Sequence, residues 1–272
     1  MTTPSEPTDA ADLLDNALDQ AGERLAAGAE WLDPWTVSRL ELLGVASGWS
    51  CLEVGAGNGS IADWLCQRVG PTGRVLATDI DPRFVDQLRR ENLKVRAHDI
   101  RTDEFAAGAF DVVHARLLLS HLPDPDAALA KLVTAVRPGG WLLVEDFDHL
   151  TCGRVDPAET PERTRVYQAL WSADLRFMSQ HGVKLDLGRQ LFRMVRMHAF
   201  TNVTAEAFAS VSPGGSAYGR FLYLGWLPFR EAYGSMGVTR ADMNQFLQLL
   251  LDPEFVMLSH LLISVSAQRP SA

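Results

Sequence analysis

Seven residues, Glu53-Val54-Gly55-Ala56-Gly57-Asn58-Gly59, stand where a short apolar run hands over to a helical stretch. Glycines at such a junction permit a tight turn and let a bulky ligand approach bare backbone. A dinucleotide fingerprint would read Gly-x-Gly-x-x-Gly, but here the third glycine comes one residue early and an acid precedes the first, which separates two classes of adenosine-bearing ligand. Asp79 closes the next apolar run, where a carboxylate can accept both hydroxyls of a ribose, a contact common to both classes. Asp99 and Ile100, after the third run, place a carboxylate and an apolar side chain to meet an adenine amino group and ring face. The plainer alternatives are an ordinary turn for the glycines and capping or solvated carboxylates for Asp79 and Asp99. Asp81 reads as the cap of whatever opens at Pro82, and Asn58 is equally open to a turn reading.

Three further residues could move a proton. His121, in Ser120-His121-Leu122-Pro123-Asp124, is of a residue type whose unperturbed pKa suits a general base near neutrality; its other reading is a loop histidine bonded to backbone. Asp146, just beyond the fifth apolar run, is the second candidate base, with a capping or solvated role as the alternative. His149 is a weaker third. Arg116 could hold an anion through its planar fork or form a salt bridge, and Arg189 could face a pocket or solvent.

Composition narrows the partners. The net charge is −9 over 272 residues, and no Lys/Arg run interrupts the acidity, so a phosphate backbone is repelled and nucleic acid is excluded as a substrate. No apolar run is long enough to cross a bilayer, and the polar, acidic start lacks the features of a leader, so a cytoplasmic location is expected. Cys51, Cys66 and Cys152 are an odd number with no Cys-x-x-Cys or Cys/His spacing, and are expected to be reduced packing residues; no metal is expected. The oligomeric state is not written in the sequence.

The elements that must position these residues alternate. Short apolar runs at 51–54, 74–78, 93–97, 110–113 and 141–144 read as strands, with helices at 61–69, 82–92 and 125–136 between most of them. Strand-helix repetition of this kind means a parallel sheet with right-handed crossovers. Arg137-Pro138-Gly139-Gly140 reads as a turn into the fifth strand. After 148 come helices at 161–180 and 187–198, an extended run at 203–211, a Pro-Gly-Gly break and an aromatic-rich stretch holding Tyr218, Phe221, Tyr223, Trp226, Phe229 and Tyr233. A helix at 240–251 and a last strand at 261–267 follow. The first thirty residues read as one amphipathic helix carrying Leu13, Leu14, Ala17, Leu18, Ala21 and Leu25, with a second helix starting at Asp33-Pro34.

Taken in order, Glu53-x-Gly55-x-Gly57-x-Gly59, Asp79, Asp99, Phe110-Asp111-Val112-Val113 and Arg137-Pro138-Gly139-Gly140 resemble the successive motifs of class I, Rossmann-like S-adenosylmethionine-dependent methyltransferases of the small-molecule type, over about residues 40–150. The resemblance implies an α/β, doubly wound, mostly parallel seven-stranded sheet with an antiparallel last strand and helical cap insertions. It divides the chain into N-terminal helices at 1–45, the cofactor-binding core at 46–150, and cap segments with the last two strands at 151–272. It implies S-adenosyl-L-methionine as cofactor, with Gly55, Ala56, Gly57 and Gly59 forming the turn beside its methionine part and Glu53 bracing that turn. Asp79 would take the ribose, Ile80 one adenine face, Asp99 the adenine amino group, and the backbone of His114 would face the methionine end.

His114-Ala115-Arg116-Leu117 stands where similar amino-group enzymes carry Asn-Pro-Pro-Tyr, which disfavours nucleobase and amide acceptors. His121 follows a loop that in similar enzymes lies beside the transferred methyl. The expected reaction is methyl transfer to oxygen, carbon or nitrogen of a small, apolar or aromatic metabolite. The aromatics from Tyr218 onward are explained first as packing and could also line a lid. Two alternatives remain at this stage: a nicotinamide-dependent oxidoreductase, and a non-methylating S-adenosylmethionine-binding protein that promotes a rearrangement.

Overall fold

A computed structural model describes residues 20–271. In chain order it holds α1 (Ala21–Leu42), β1 (Ser50–Val54), α2 (Ser60–Val69), β2 (Arg74–Asp79), β3 (Leu93–Ala97), β4 (Phe110–Arg116), α3 (Pro125–Ala135), β5 (Val136–Asp148), β6 (Arg154–Val155), α4 (Pro161–Gln180), α5 (Leu187–Arg196), β7 (Thr201–Phe208), β8 (Val211–Pro213), α6 (Ala217–Trp226), α7 (Arg240–Leu249), β9 (Val256–Leu258) and β10 (Leu261–Gln268). Seven strands form one sheet in the order β3-β2-β1-β4-β5-β10-β7. β1 to β5 pair in parallel, and β10 runs antiparallel to β7. The expected doubly wound, mostly parallel architecture is therefore present. Its strand order reverses at β1, which is flanked by β2 and β4 and so defines a switch-point crevice beyond the strands' carboxyl ends.

The chain divides into two compact units. The sheet unit comprises Leu32–Phe147, Leu187–Phe208 and Leu262–Ala272. One face of its sheet is closed by α3 and α5 through Leu129, Leu132, Leu191 and Val195, and another cluster gathers α2 and the end of α1 around Leu65, Val69, Leu40 and Val112. Coverage on both faces buries β1 and most of β4 and β5, and their side chains are accordingly mostly apolar.

Of the described residues, the second unit comprises 20–31, Asp148–Asp186 and Ala209–Leu261. Its interior is aromatic: Tyr167 packs against Phe246 and Phe255, and Trp226 stacks on Tyr233 at 4.6 Å between centroids. A three-stranded sheet, β6-β9-β8, belongs to the same unit. Tyr218, Trp226, Phe229 and Tyr233 are thus core residues of this unit, whereas Phe221 and Tyr223 are only half-buried.

Three local expectations are corrected. Instead of ending before Asp33-Pro34, α1 runs unbroken to Leu42 with Pro34 inside it. The missing N–H and the ring's clash with the preceding turn are outweighed by the burial of Leu32, Thr36 and Leu40 around the proline. Residues 82–92 form only a 3-10 turn, Val85–Gln87. Their side chains serve α2 instead: the Asn92 amide donates to the Cys66 and Gly70 carbonyls at 2.8 and 2.9 Å, capping its C-terminus, and Arg90 pairs with Asp63 at 2.6 Å. Arg137-Pro138-Gly139-Gly140 lies within β5 rather than in a turn, and a Cβ on Gly140 would meet the Asp111 carbonyl at 2.9 Å. Of the expected N-terminal helix, Leu13, Leu14, Ala17 and Leu18 lie outside the described residues, while Ala21 and Leu25 fall in α1. No helix among the described residues is long and apolar enough to cross a membrane.

Candidate functional site

The glycine turn is built by the adjacent parallel strands β1 and β2 together. Gly55 and Ala56 both donate to the Thr78 carbonyl at the end of β2, at 2.8 and 3.0 Å, and Gly59 donates to Ala56 at 2.8 Å. Gly57 donates instead to the side chain of Asp79, N to Oδ2 at 2.9 Å. Gly55, Gly57 and Gly59 all have φ between 54° and 82°, so each needs the left-handed conformation that glycine adopts freely. They differ in what surrounds them. A Cβ on Gly59 would meet Leu88 Cδ1 at 2.6 Å and Val85 Cγ2 at 2.9 Å, so this glycine is required by the close packing of the 85–88 turn. A Cβ on Gly55 would make only ordinary contact, 3.5 Å from Leu118.

Asp79 accepts one backbone bond on each oxygen, from Gly57 and, at 3.0 Å, from Asp81. Each oxygen keeps lone-pair capacity for a further donor. Burial raises its pKa, and the backbone N–H groups of Gly57, Asp81 and Ile80 work against that rise. Beside it Ile80 is 60% exposed, a large apolar side chain at the carboxyl edge of the sheet. A bare turn, a carboxylate able to accept from ribose hydroxyls and an exposed apolar face for an adenine ring together fit an adenosyl group.

The third strand's tip contributes differently from expectation. The Asp99 carboxylate is gripped by its near neighbour Arg101 at 2.8 Å, whose hydrogen bond holds the carboxyl below its usual range. Ile100 offers no face to a ligand; it is 5% exposed and packs in the core with Phe105 and Leu129. Both isoleucines lie beyond the ends of their strands, where strand alternation no longer sets side-chain direction, and only Ile80 stays outside.

Glu53 and His114 face each other across the β1–β4 pairing, where they are register partners. His114 Nδ1 lies 2.6 Å from the Glu53 carboxylate, and its Nε2 lies 3.2 Å from Glu145 on β5. Burial would drive the imidazole neutral, but the Glu53 charge and the bonds to Glu145 and Glu53 prevail and hold its pKa up at about 9. Glu145 is further bonded by Thr36 of α1 at 2.6 Å and by Ser264 of β10. Arg116 extends the chain, reaching Thr36 at 2.8 Å and Asp33 at 2.7 Å. Of the two readings for Arg116, the ion pair is the one observed. Thr36, Glu145 and Ser264 were not singled out from sequence. The available signal was a glutamate and a histidine within otherwise apolar buried strands, where an ionisable group needs a partner.

Asp146 is fully buried and bonded inward. Its carboxylate accepts the Ser120 N–H at 3.0 Å, the Ser120 hydroxyl at 2.8 Å and the Phe147 N–H at 3.0 Å. Burial, partly offset by these bonds, raises its pKa to about 6. It ties down the 3-10 turn Leu119–His121, on which His121 stands half-buried with its N–H bonded to the Leu118 carbonyl at 3.2 Å. In the aromatic unit His149 and Cys152 lie close to His260, a Cys/His grouping that spacing did not reveal.

A methyltransferase-domain family profile matches residues 8–205. Methyltransferase str2 of Strobilurus tenacellus is 39% identical over 103 residues, 36% of this chain and 35% of that protein. Nocamycin O-methyltransferase of Saccharothrix syringae is 33% identical over 127 residues, 44% of this chain and 45% of that protein. These alignments span between about a third and a half of the curated relatives' own length. Among solved structures, Haemonchus contortus phosphoethanolamine N-methyltransferase 2 in complex with S-adenosyl-L-methionine aligns at a TM-score of 0.59 with 17% identity, covering 98% of this chain and 61% of that chain. At that identity the likeness is one of fold.

Proposed function

The chain belongs to the methyltransferase-domain family, and on that footing we propose that it uses S-adenosylmethionine to methylate an oxygen, carbon or nitrogen of a small-molecule acceptor. The observation that carries the reading is the 2.9 Å bond from Gly57 to Asp79, which joins the glycine turn of β1 to the acid at the tip of β2 within one crevice. Gly55, Ala56 and Gly57 would lie against the methionine part of the cofactor, with Gly59 shaping the turn from behind. Asp79 would accept the ribose hydroxyls and Ile80 would cover one adenine face. Asp99 would reach the adenine amino group by sharing its carboxylate with Arg101.

The cofactor, when bound, supplies an electrophilic sulfonium methyl, which needs little activation. The protein's residues therefore work by placement. The His114 side chain is enclosed by two carboxylates, so it holds β1, β4 and β5 together, and its backbone would face the methionine end. Asp146 fixes the turn that carries His121, and His121 is the group proposed to take the acceptor's proton where the acceptor is a hydroxyl. The acidic composition disfavours a nucleic-acid acceptor, and the nocamycin O-methyltransferase relative favours a small secondary metabolite.

The test is turnover. The full chain, incubated with methyl-labelled S-adenosylmethionine and a panel of phenolic, enolic and amine metabolites, should release S-adenosylhomocysteine and label at least one acceptor. Tight cofactor binding without labelling of any acceptor would instead favour the rearrangement reading, and tight uptake of a nicotinamide with none of S-adenosylmethionine would overturn the proposal.

A further inference from the structure

We propose that His149, Cys152 and His260 form a binding site for a thiophilic d10 cation, Zn2+ or Cu+, inside the aromatic unit. One ligand atom from each residue lies within 4.8 Å of the other two. His149 opens the 3-10 turn His149–Thr151 and Cys152 directly follows it, which brings residues three apart toward one side, and His260 arrives from the chain just after β9. Metal bonds of about 2.0–2.3 Å set neighbouring donors about 3.3–3.8 Å apart, so side-chain rotations of about an ångström complete the set.

The surroundings orient these ligands. The Tyr218 hydroxyl is 3.1 Å from His260 Nδ1, the kind of contact from outside the ligand set that orients metal-binding imidazoles. Tyr218 is itself buried and packs on Trp31 at 4.6 Å. His149 meets His260 edge to face at 5.3 Å, and Trp171 closes over His260 at 5.0 Å. Gly153, next to Cys152, has φ +82, and a Cβ there would meet Trp171 at 3.3 Å, so the turn lies directly under that indole.

Donor chemistry selects the ion. One sulfur and two imidazole nitrogens suit Zn2+ or Cu+ and disfavour Mg2+ and Ca2+, which require oxygen. A thiolate with two neutral imidazoles carries one negative charge, so Cu+ gives a neutral buried site. Zn2+ leaves one positive charge, with the Asp148 carboxylate in the same turn, 3.2 Å from the Leu150 N–H, as a nearby counter-charge. Three protein ligands leave one coordination position for an exogenous oxygen or nitrogen.

The experiment uses the full chain, stripped with a chelator under reducing conditions and titrated separately with Zn2+, Cu+ and, as a spectroscopic probe, Co2+. One equivalent of Zn2+ or Cu+ should bind in competition with a colorimetric chelator, and Co2+ should give a near-ultraviolet thiolate charge-transfer band. Cys152→Ser should abolish that band, and Tyr218→Phe should weaken metal affinity about 10–100-fold. The variants' circular dichroism and S-adenosylmethionine binding separate loss of the site from loss of the fold. Failure of the folded wild-type chain to take up any of the three ions stoichiometrically, or an unchanged Co2+ band in folded Cys152→Ser, overturns the site. Uptake of Cu+ alone or Zn2+ alone identifies the ion.

Discussion

His114 and Glu53 meet at 2.6 Å across two parallel strands in a region from which water is excluded, and the same imidazole turns its other nitrogen to Glu145. A cation between two carboxylates is thereby built into the sheet immediately below the glycine turn. Its removal leaves two buried acids facing each other, and uncompensated buried charge costs about 3–5 kcal/mol. His114→Ala should lower unfolding stability by that order, read from denaturant melts at pH 7. A loss below about 1 kcal/mol would show that the network contributes nothing net.

The same group has a pH signature. Its pKa is raised in the folded state to about 9 from an ordinary value near 6.5. The folded protein therefore binds the proton more tightly, so the contribution is fully present below about pH 6.5 and disappears as pH rises through about 9. A shift of this size corresponds to a contribution on the order of 3 kcal/mol. The stability difference between wild type and His114→Gln should accordingly shrink between pH 7 and 10. A difference that stays flat across that range would mean His114 is neutral in the folded state.

Glycines that look equivalent in the motif should separate on substitution. Gly59→Ala adds a left-handed non-glycine residue, about 1–2 kcal/mol, and forces Leu88 and Val85 aside, about 1–3 kcal/mol more. Gly55→Ala carries only the backbone cost, because its Cβ finds ordinary contact with Leu118. The first variant should melt well below the second, while the second, beside the proposed cofactor, should lose more S-adenosylmethionine affinity relative to its stability loss. Thermal melts and calorimetric titration of both variants decide this.

Asp79→Ala removes the acceptor of the Gly57 N–H and both proposed ribose bonds. At about 1.5–3 kcal/mol per charge-assisted bond, two ribose contacts correspond to a loss of at least about a hundredfold in S-adenosylmethionine affinity. Affinity retained within about threefold in calorimetry would remove Asp79 from the site.

What could be read in the sequence was whatever depends on local pattern. Apolar runs of strand length placed β1 to β5, and the acid-glycine spacing with Asp79 placed the crevice, since both follow from period and backbone freedom. The exceptions are settled by tertiary partners. Pro34 is tolerated within α1 because the side chains around it are buried, and 82–92 lacks a helix because Arg90 and Asn92 are drawn to α2. Ile100 against Ile80, and the meeting of His149 and Cys152 with His260, depend on side-chain direction and long-range return, which no spacing rule encodes.

Asp146 and Ser120 offer the clearest way to separate placement from proton transfer. Both partners of their 2.8 Å bond are buried, and the bond anchors the turn carrying His121. If Asp146 acts by placing that turn, Ser120→Ala breaks the same tie and should reproduce part of the Asp146→Asn deficit, about 1.5–3 kcal/mol for a bond to a charged group. The two substitutions should then be far from additive in kcat/KM with a responsive acceptor, because they remove one interaction twice. If Asp146 instead accepts the proton, Ser120→Ala should leave turnover nearly intact while Asp146→Asn abolishes it. His121→Ala completes the comparison: as the base, its loss should slow a hydroxyl acceptor and remove the acid limb of the pH profile, whereas unchanged turnover would exclude it from the mechanism.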